Sequence, residues 1–227
     1  MDQHPHGHAP ETNDGPQTIM DRLKTETWPL HQRAETAPQQ KALVKGEMPK
    51  AEFIEHLGQL YLLHDALETK LREAVESEPA IKAVVKDYQF QVPYLLEDFA
   101  FFGIEAGSFS PTAHTQAMID RIEKAANEAP LKLLGMQYVL EGSNNGGRFI
   151  AMAVRKTYEL KPGKGDRYLD PYGEAQRGKW AEFKADMLAQ TFTPEQEGLL
   201  LSGANELFLG MVEMGGGEVS AEELAAV

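Results

Sequence analysis

Outside its two ends, the chain repeats its apolar residues at steps of three and four, the spacing of side chains that share one face of an α-helix. The longest such run follows Pro49 and comprises Phe53, Leu57, Leu60, Tyr61, His64, Leu67, Leu71 and Val75; proline favours the first position of a helix, where its missing N–H costs nothing. Upstream, Ile19, Leu23, Leu30 and Ala34 predict the buried stripe of a first helix. Thr18 with Asp21 would cap its start, and Pro29 inside it should kink or tighten it. An aromatic helix is expected over 92–102, with Pro93 near its start and Gly103 closing it, and another from Pro111. Two more fit 174–190 and 194–214, whereas 161–171, rich in Gly, Pro and Lys, reads as a loop. No stretch alternates with period two and none repeats, so the expected fold class is all-α, a multi-helical single domain.

One helical run, 131–160, carries an unusual centre, Glu141-Gly-Ser-Asn-Asn-Gly-Gly-Arg148. Glycine inside a helix costs up to about 1 kcal/mol relative to alanine, so an unbroken helix through Gly142, Gly146 and Gly147 needs a reason. Two readings are open on spacing alone. A surface without Cβ atoms admits a flat, bulky group close to the backbone and lets the helix bend; equally, it serves tight helix–helix packing or a plain helix break.

Length and composition narrow the rest. Two hundred and twenty-seven residues with 42% hydrophobic content suffice for one core. The chain has 22 Lys and Arg against 35 Asp and Glu, a net charge of −13, and no basic stripe, which argues against a nucleic-acid partner. Residues 1–17 read as a disordered His/Pro-rich tail and 218–227 as an acidic C-terminal tail. Each contributes three of the excess acids and leaves −7 for the domain expected over 18–217. Cysteine is absent, so disulfides, thiolate nucleophiles, iron–sulfur clusters and thiolate-held metals are excluded, and any metal must be held by His, carboxylate or backbone oxygen. Without a signal-like N-terminus or an apolar run near the ~20 residues of a membrane span, the expected setting is cytoplasmic, with no membrane insertion.

His31 is the remaining candidate. A neutral imidazole is a good iron ligand, although a lone histidine on a helix is more often exposed or satisfied; the same holds for His56, His64 and His114. In the tail, His4, His6 and His8 could bind a transition metal weakly or form part of a plain terminus.

Leu23-Lys24, with His31 seven positions after Lys24 and Ala34-Glu35 beyond, resembles the proximal-helix signature of the haem (heme) oxygenases. Gln137-Tyr-Val-Leu-Glu-Gly-Ser-Asn-Asn-Gly-Gly-Arg148 resembles their distal helix, most of all in the bacterial biliverdin-producing enzymes. The resemblance implies haem held between the first helix and a bent glycine-rich helix, acting as both substrate and cofactor. It implies oxidative cleavage to biliverdin, carbon monoxide and ferrous iron, with O2 and a reductase or ferredoxin-type electron donor. His31 would ligate the iron; Gly142, Gly146 and Gly147 would lie over the distal face, with Ser143 and Arg148 as candidates for organising water there. Lys24, Tyr138, Lys179 and Lys184 would bind the haem, the lysines through its propionates. The sequence departs from the animal-type pattern at Ser143, where those relatives carry aspartate; serine holds water through a hydroxyl but cannot be a charged acceptor.

Two other readings are set beside this. A non-catalytic haem carrier or sensor needs the same residues. A di-iron carboxylate bundle needs Glu-x-x-His pairs, and none of the seven histidines follows a glutamate at that spacing.

Overall fold

A computed structural model describes residues 17–227, so the His4, His6 and His8 expectation and nearly all of the N-terminal tail lie outside the described residues. Ten α-helices follow one another: α1 (Ile19–Glu35), α2 (Pro38–Lys45), α3 (Lys50–Ala74), α4 (Pro79–Val84), α5 (Val92–Phe102), α6 (Ala113–Glu128), α7 (Lys132–Tyr158), α8 (Gln176–Leu188), α9 (Pro194–Met214) and α10 (Ala221–Ala225). Among the described residues there is no strand.

The helix starts are written in the sequence. In α1 the Thr18 hydroxyl accepts from Asp21 N at 3.2 Å while the Asp21 carboxylate accepts from Thr18 N at 3.0 Å. The Thr18 hydroxyl also donates to the Asp21 carboxylate at 2.7 Å, and this bond, with the one from Thr18 N, holds the Asp21 carboxyl below its ordinary range. Thr193 and Gln196 repeat the arrangement at α9, with Pro194 in the first turn. Helix α1 runs unbroken across Pro29. Its buried stripe differs from the expected one: Ile19 and Leu23 are buried, Leu30 and Ala34 only partly, and Thr27 is buried instead, its hydroxyl donating to Leu23 O at 2.6 Å. That bond removes the penalty of placing a hydroxyl in the core.

Helices α7 and α9 form the central pair. Their crossing explains two glycines that no motif had marked. A Cβ on Gly135 would collide with the Leu200 carbonyl, and one on Gly203 with the Lys132 carbonyl, so each helix presents bare backbone to the other. Helix α1 lies on α9 and α8; α6 packs on α3 and α9; α2 packs on α7. The largest core cluster joins Leu23, Leu67, Met118, Leu134, Phe183 and Leu207, and a second, under α2 and α5, joins Leu43, Phe53, Phe99 and Val154. Helix α3 and helix α7 contribute to both.

Residues 218–227 form more than an acidic end. Ser220 and Glu223 cap α10, Glu223 also pairs with Arg33 of α1, Arg33 Nη2 donates to Glu218 O at 2.8 Å, and Ser202 Oγ donates to Val227 O at 2.6 Å. Of its acids, Glu223 is an attachment through its carboxylate and Glu218 through its main-chain carbonyl. Among the described residues, no helix is long and apolar enough to cross a membrane.

Candidate functional site

Both α1 and α7 rest on α9 and α8, and neither takes the other as a main packing partner. Each presents one of the two sequence signatures. On α1, His31 keeps 38% of its side chain exposed, yet its Nδ1 is buried without a hydrogen-bond partner and lies 3.8 Å from Glu35 Oε2, one helical turn on. The exposed part of the ring is therefore its Nε2 edge. Trp28 stacks on the imidazole, with centroids 5.2 Å apart and planes 13° from parallel, and Phe208 of α9 meets it edge-on at 5.6 Å. Lys24, two turns before His31, is exposed.

Helix α7 passes without a break through its glycines, and the three do different things. A Cβ on Gly146 would meet nothing within 4 Å, and one on Gly142 would make ordinary contact with Trp180 at 3.4 Å. Gly142, Gly146 and Phe149 are spaced to share one face, and Phe149 is 54% exposed, a large apolar side chain with nothing over it. Gly147 belongs elsewhere. A Cβ there would lie 2.5 Å from the Leu169 carbonyl oxygen, so its bare backbone is taken up by the 159–175 segment. Ser143 Oγ donates back to Leu140 O at 2.7 Å, which ties up its proton and leaves only acceptor capacity. Asn145 Nδ2 donates to Gly142 O at 2.9 Å, and its Oδ1 accepts from Gln176 Nε2 at 3.3 Å, linking α7 to the start of α8. Arg148 is exposed.

Helix α8 closes one side. The Trp180 ring lies 5.9 Å from that of Tyr138 and stacks on Phe183 at 5.4 Å, so Tyr138 packs into an aromatic wall. Burial pushes the Tyr138 hydroxyl up to about 12, which keeps it neutral at physiological pH. The two lysines of this helix part company. Lys184 is exposed, whereas Lys179 pairs with Glu182 at 3.1 Å and sits 3.7 Å from the Tyr88 ring centroid.

Behind α7 lies a buried polar cluster. Glu141 Oε2 accepts from the Tyr172 hydroxyl at 2.9 Å and from Asn144 Nδ2 at 3.4 Å; its Oε1 has no partner, nor does Gln91 Oε1, whose amide nitrogen donates to the same Tyr172 oxygen at 3.2 Å. Two buried acceptors near one hydroxyl are thus left without a partner among the described residues. Burial pushes the Glu141 carboxyl up to about 7. Deeper still, His64 Nε2 lies 3.2 Å from the Tyr168 hydroxyl, and Glu68 accepts from Gln91 N at 2.5 Å and Val92 N at 3.1 Å. Asp98 holds the returning loop through Arg167 N at 2.7 Å and Tyr168 N at 2.9 Å.

The structure thus gathers His31 with an aromatic pair on α1 and α9, and Gly142 and Tyr138 with Trp180 on α7 and α8, while Gly146 stays open one turn further on. It sets Gly147 and Lys179 into other contacts. Sequence reasoning passed over Trp28, Trp180 and Phe208, and named Glu35 only as part of the signature. Trp28 and Glu35 stand three before and four after His31, a spacing that shows them on its face of the helix; Trp180 and Phe208 come from distant helices and give no such signal.

Comparison with known proteins supplies the rest. The family model described as Heme oxygenase matches residues 17–214. Among curated relatives, the chain is 26% identical over 150 residues to "Heme oxygenase 2" of Synechocystis, a match covering 65% of this chain and 60% of that one. It is 24% identical over 204 residues to "Heme oxygenase 1" of Bos taurus, covering 88% and 71%. Among solved structures, the heme oxygenase of Leptospira interrogans superposes with a TM-score of 0.80 at 22% identity, covering 88% of this chain and 98% of that one. Heme oxygenase-2 of Synechocystis, solved in complex with heme and NO, superposes with a TM-score of 0.81 at 22% identity, covering 88% and 84%. With the family model spanning the chain from the first described residue to the end of α9, the chain belongs to the heme oxygenase family.

Proposed function

We propose that this chain binds haem between α1 and α7 and cleaves it oxidatively to biliverdin, carbon monoxide and ferrous iron, using O2 and an external reductase or ferredoxin-type electron donor. Family membership supports the reaction class. Two observations support the placement: an imidazole on α1 whose Nε2 edge is open, and a face of α7 that is bare at Gly146 and exposes Phe149, with Gly142 against Trp180 beside it. The two helices stand on the shared support of α8 and α9 and neither is the other's main partner, an arrangement compatible with a flat guest between them.

The residues present fit that guest. His31 would hold the iron through Nε2. A proton on Nδ1, which faces Glu35 Oε2 at 3.8 Å, would keep the lone pair on the outer nitrogen. Gly142 and Gly146 let the helix backbone approach the plane of the guest, leaving space on that side for a molecule as small as O2. When bound, haem supplies the iron at which oxygen is reduced and the meso carbon that is oxidised. Neutral imidazole suits this better than a thiolate, whose electron donation promotes O–O cleavage. Ser143, with its proton committed to Leu140 O, would accept a hydrogen bond from water, and Arg148 is free to donate one. Lys24 and Lys184, both exposed, would meet the propionates as cations. Lys179, held by Glu182 and Tyr88, would reach them only by exchanging partners.

Hemin titration of the purified chain tests the binding half of this reading. A Soret band that grows to a one-to-one end point, and that shifts or vanishes in His31→Ala, is expected. An identical band in the variant removes His31 as the ligand, and no band in either protein removes the reading. A haem complex that survives reductant and oxygen unchanged identifies a carrier instead of an enzyme.

A further inference from the structure

The indole over His31 has no part in the account so far, and its geometry gives it one. Trp28 precedes His31 by three residues, so the two rings rise from the same face of α1. They are offset-stacked, 5.2 Å between centroids and 13° from coplanar, the favourable arrangement for two π-systems. The residue between their turns, Pro29, fixes its own φ near −65° and so stiffens the backbone that carries both. Phe208, buried on α9, meets the imidazole at 71°, and Nδ1 is shut away from solvent against Glu35. Turning the imidazole about its Cβ–Cγ bond, or swinging it about Cα–Cβ, changes the direction in which Nε2 faces, and either motion must break the stack.

We propose that Trp28 is a positioning residue for His31: by lying flat against the imidazole it fixes the plane of the ring, and with it the orientation in which the ring would stand over the haem nitrogens. This rests on the function proposed above and deepens it. The plane of an axial imidazole sets how its π-orbital overlaps the iron d-orbitals and so distributes electron density unequally around the macrocycle. A tryptophan that fixes that plane makes the proximal side a determinant of haem electronics and not a passive tether.

The test is to load the full-length chain with hemin, form its low-spin ferric cyanide complex and record the electron paramagnetic resonance spectrum for wild type, Trp28→Phe and Trp28→Ala. Wild type and Trp28→Phe should each give one narrow set of g-values, because a phenyl ring can stack in the same place. Trp28→Ala should give broadened or multiple g-values and bind hemin about three- to tenfold more weakly, the range expected for one lost aromatic pair. Carbon relaxation of the His31 ring in the unloaded protein supplies a second readout, with Trp28→Ala expected to make the ring mobile while the far-ultraviolet circular dichroism stays unchanged. Trp28→Ala spectra and ring mobility identical to wild type would overturn the proposal while leaving the function intact. Failure of the wild-type chain to bind hemin at all would overturn both.

Discussion

Replacing Gly146 and Gly147 by alanine, one at a time, puts the assignment of α7's two faces at risk in a way that needs no ligand. Both residues lie inside the same helix with ordinary helical backbone, so each alanine gains the same helix propensity, about 1 kcal/mol. The difference between the variants therefore reports only what the new methyl meets. At 146 it meets nothing within 4 Å, and the apo protein should gain most of that 1 kcal/mol. At 147 it lies 2.5 Å from the Leu169 carbonyl oxygen, a backbone atom that cannot swing aside as the tip of a side chain can. Either α7 or the 159–175 segment must move, and overpacking of this kind costs roughly 1–3 kcal/mol. In a chain of 227 residues each kcal/mol moves Tm by about 2–4 °C, so Gly146→Ala should melt about 3–10 °C above Gly147→Ala in a circular-dichroism scan at 222 nm. Gly146→Leu should still fold while losing hemin affinity, because the larger side chain fills the uncovered face. Equal melting temperatures for the two alanine variants, or Gly146→Ala the less stable, would refute the assignment of the two glycines to different surroundings.

Glu141 makes a pH prediction. Burial holds its carboxyl near 7 against an ordinary 4.5, so between those values the folded chain keeps a proton that the unfolded chain has released, and stability falls as pH rises through the window. Glu141→Gln, which keeps the hydrogen bond to Tyr172 in a neutral group, should match wild type in acid and exceed it above pH 7 by up to about 3 kcal/mol in urea denaturation; parallel pH profiles would remove the buried acid from the account. Arg155 pairs with the fully buried Asp166 and reaches Asp170 at 2.9 Å, so Arg155→Met should strand a buried carboxylate and cost about 3 kcal/mol. Protease nicking within 159–175 reads out the released loop, and unchanged resistance there counts against that clasp.

Periodicity and proline placement made α5 and α9 readable to the residue, because Val92–Phe102 and Pro194–Met214 each carry proline in the first turn and glycine just past the end. Helices α2 and α4, of eight and six residues, are too short for a 3.6-residue period to show above chance and were not read at all. The glycine centre singled out α7 but did not distinguish its two faces. Gly147 is distinguished from Gly146 only by where Leu169 returns, a contact between segments more than 20 positions apart. The Gly135–Gly203 crossing was hidden for the same reason. His31 was legible through its neighbours in the chain, whereas Phe208 and Trp180, which complete its surroundings and those of Gly142, arrive from α9 and α8. Local sequence holds helix starts and the residues on one face; it does not hold which distant backbone or ring a given position will meet.

The most direct test of the central claim is a single turnover: the hemin-loaded chain, given an electron donor and air, followed by absorbance and by identification of the extracted pigment. The account predicts that the Soret band decays into the broad red absorption of biliverdin with release of one carbon monoxide per haem, and that His31→Ala does not do this. A Soret band that persists through reduction and reoxidation, or a pigment other than biliverdin, contradicts it.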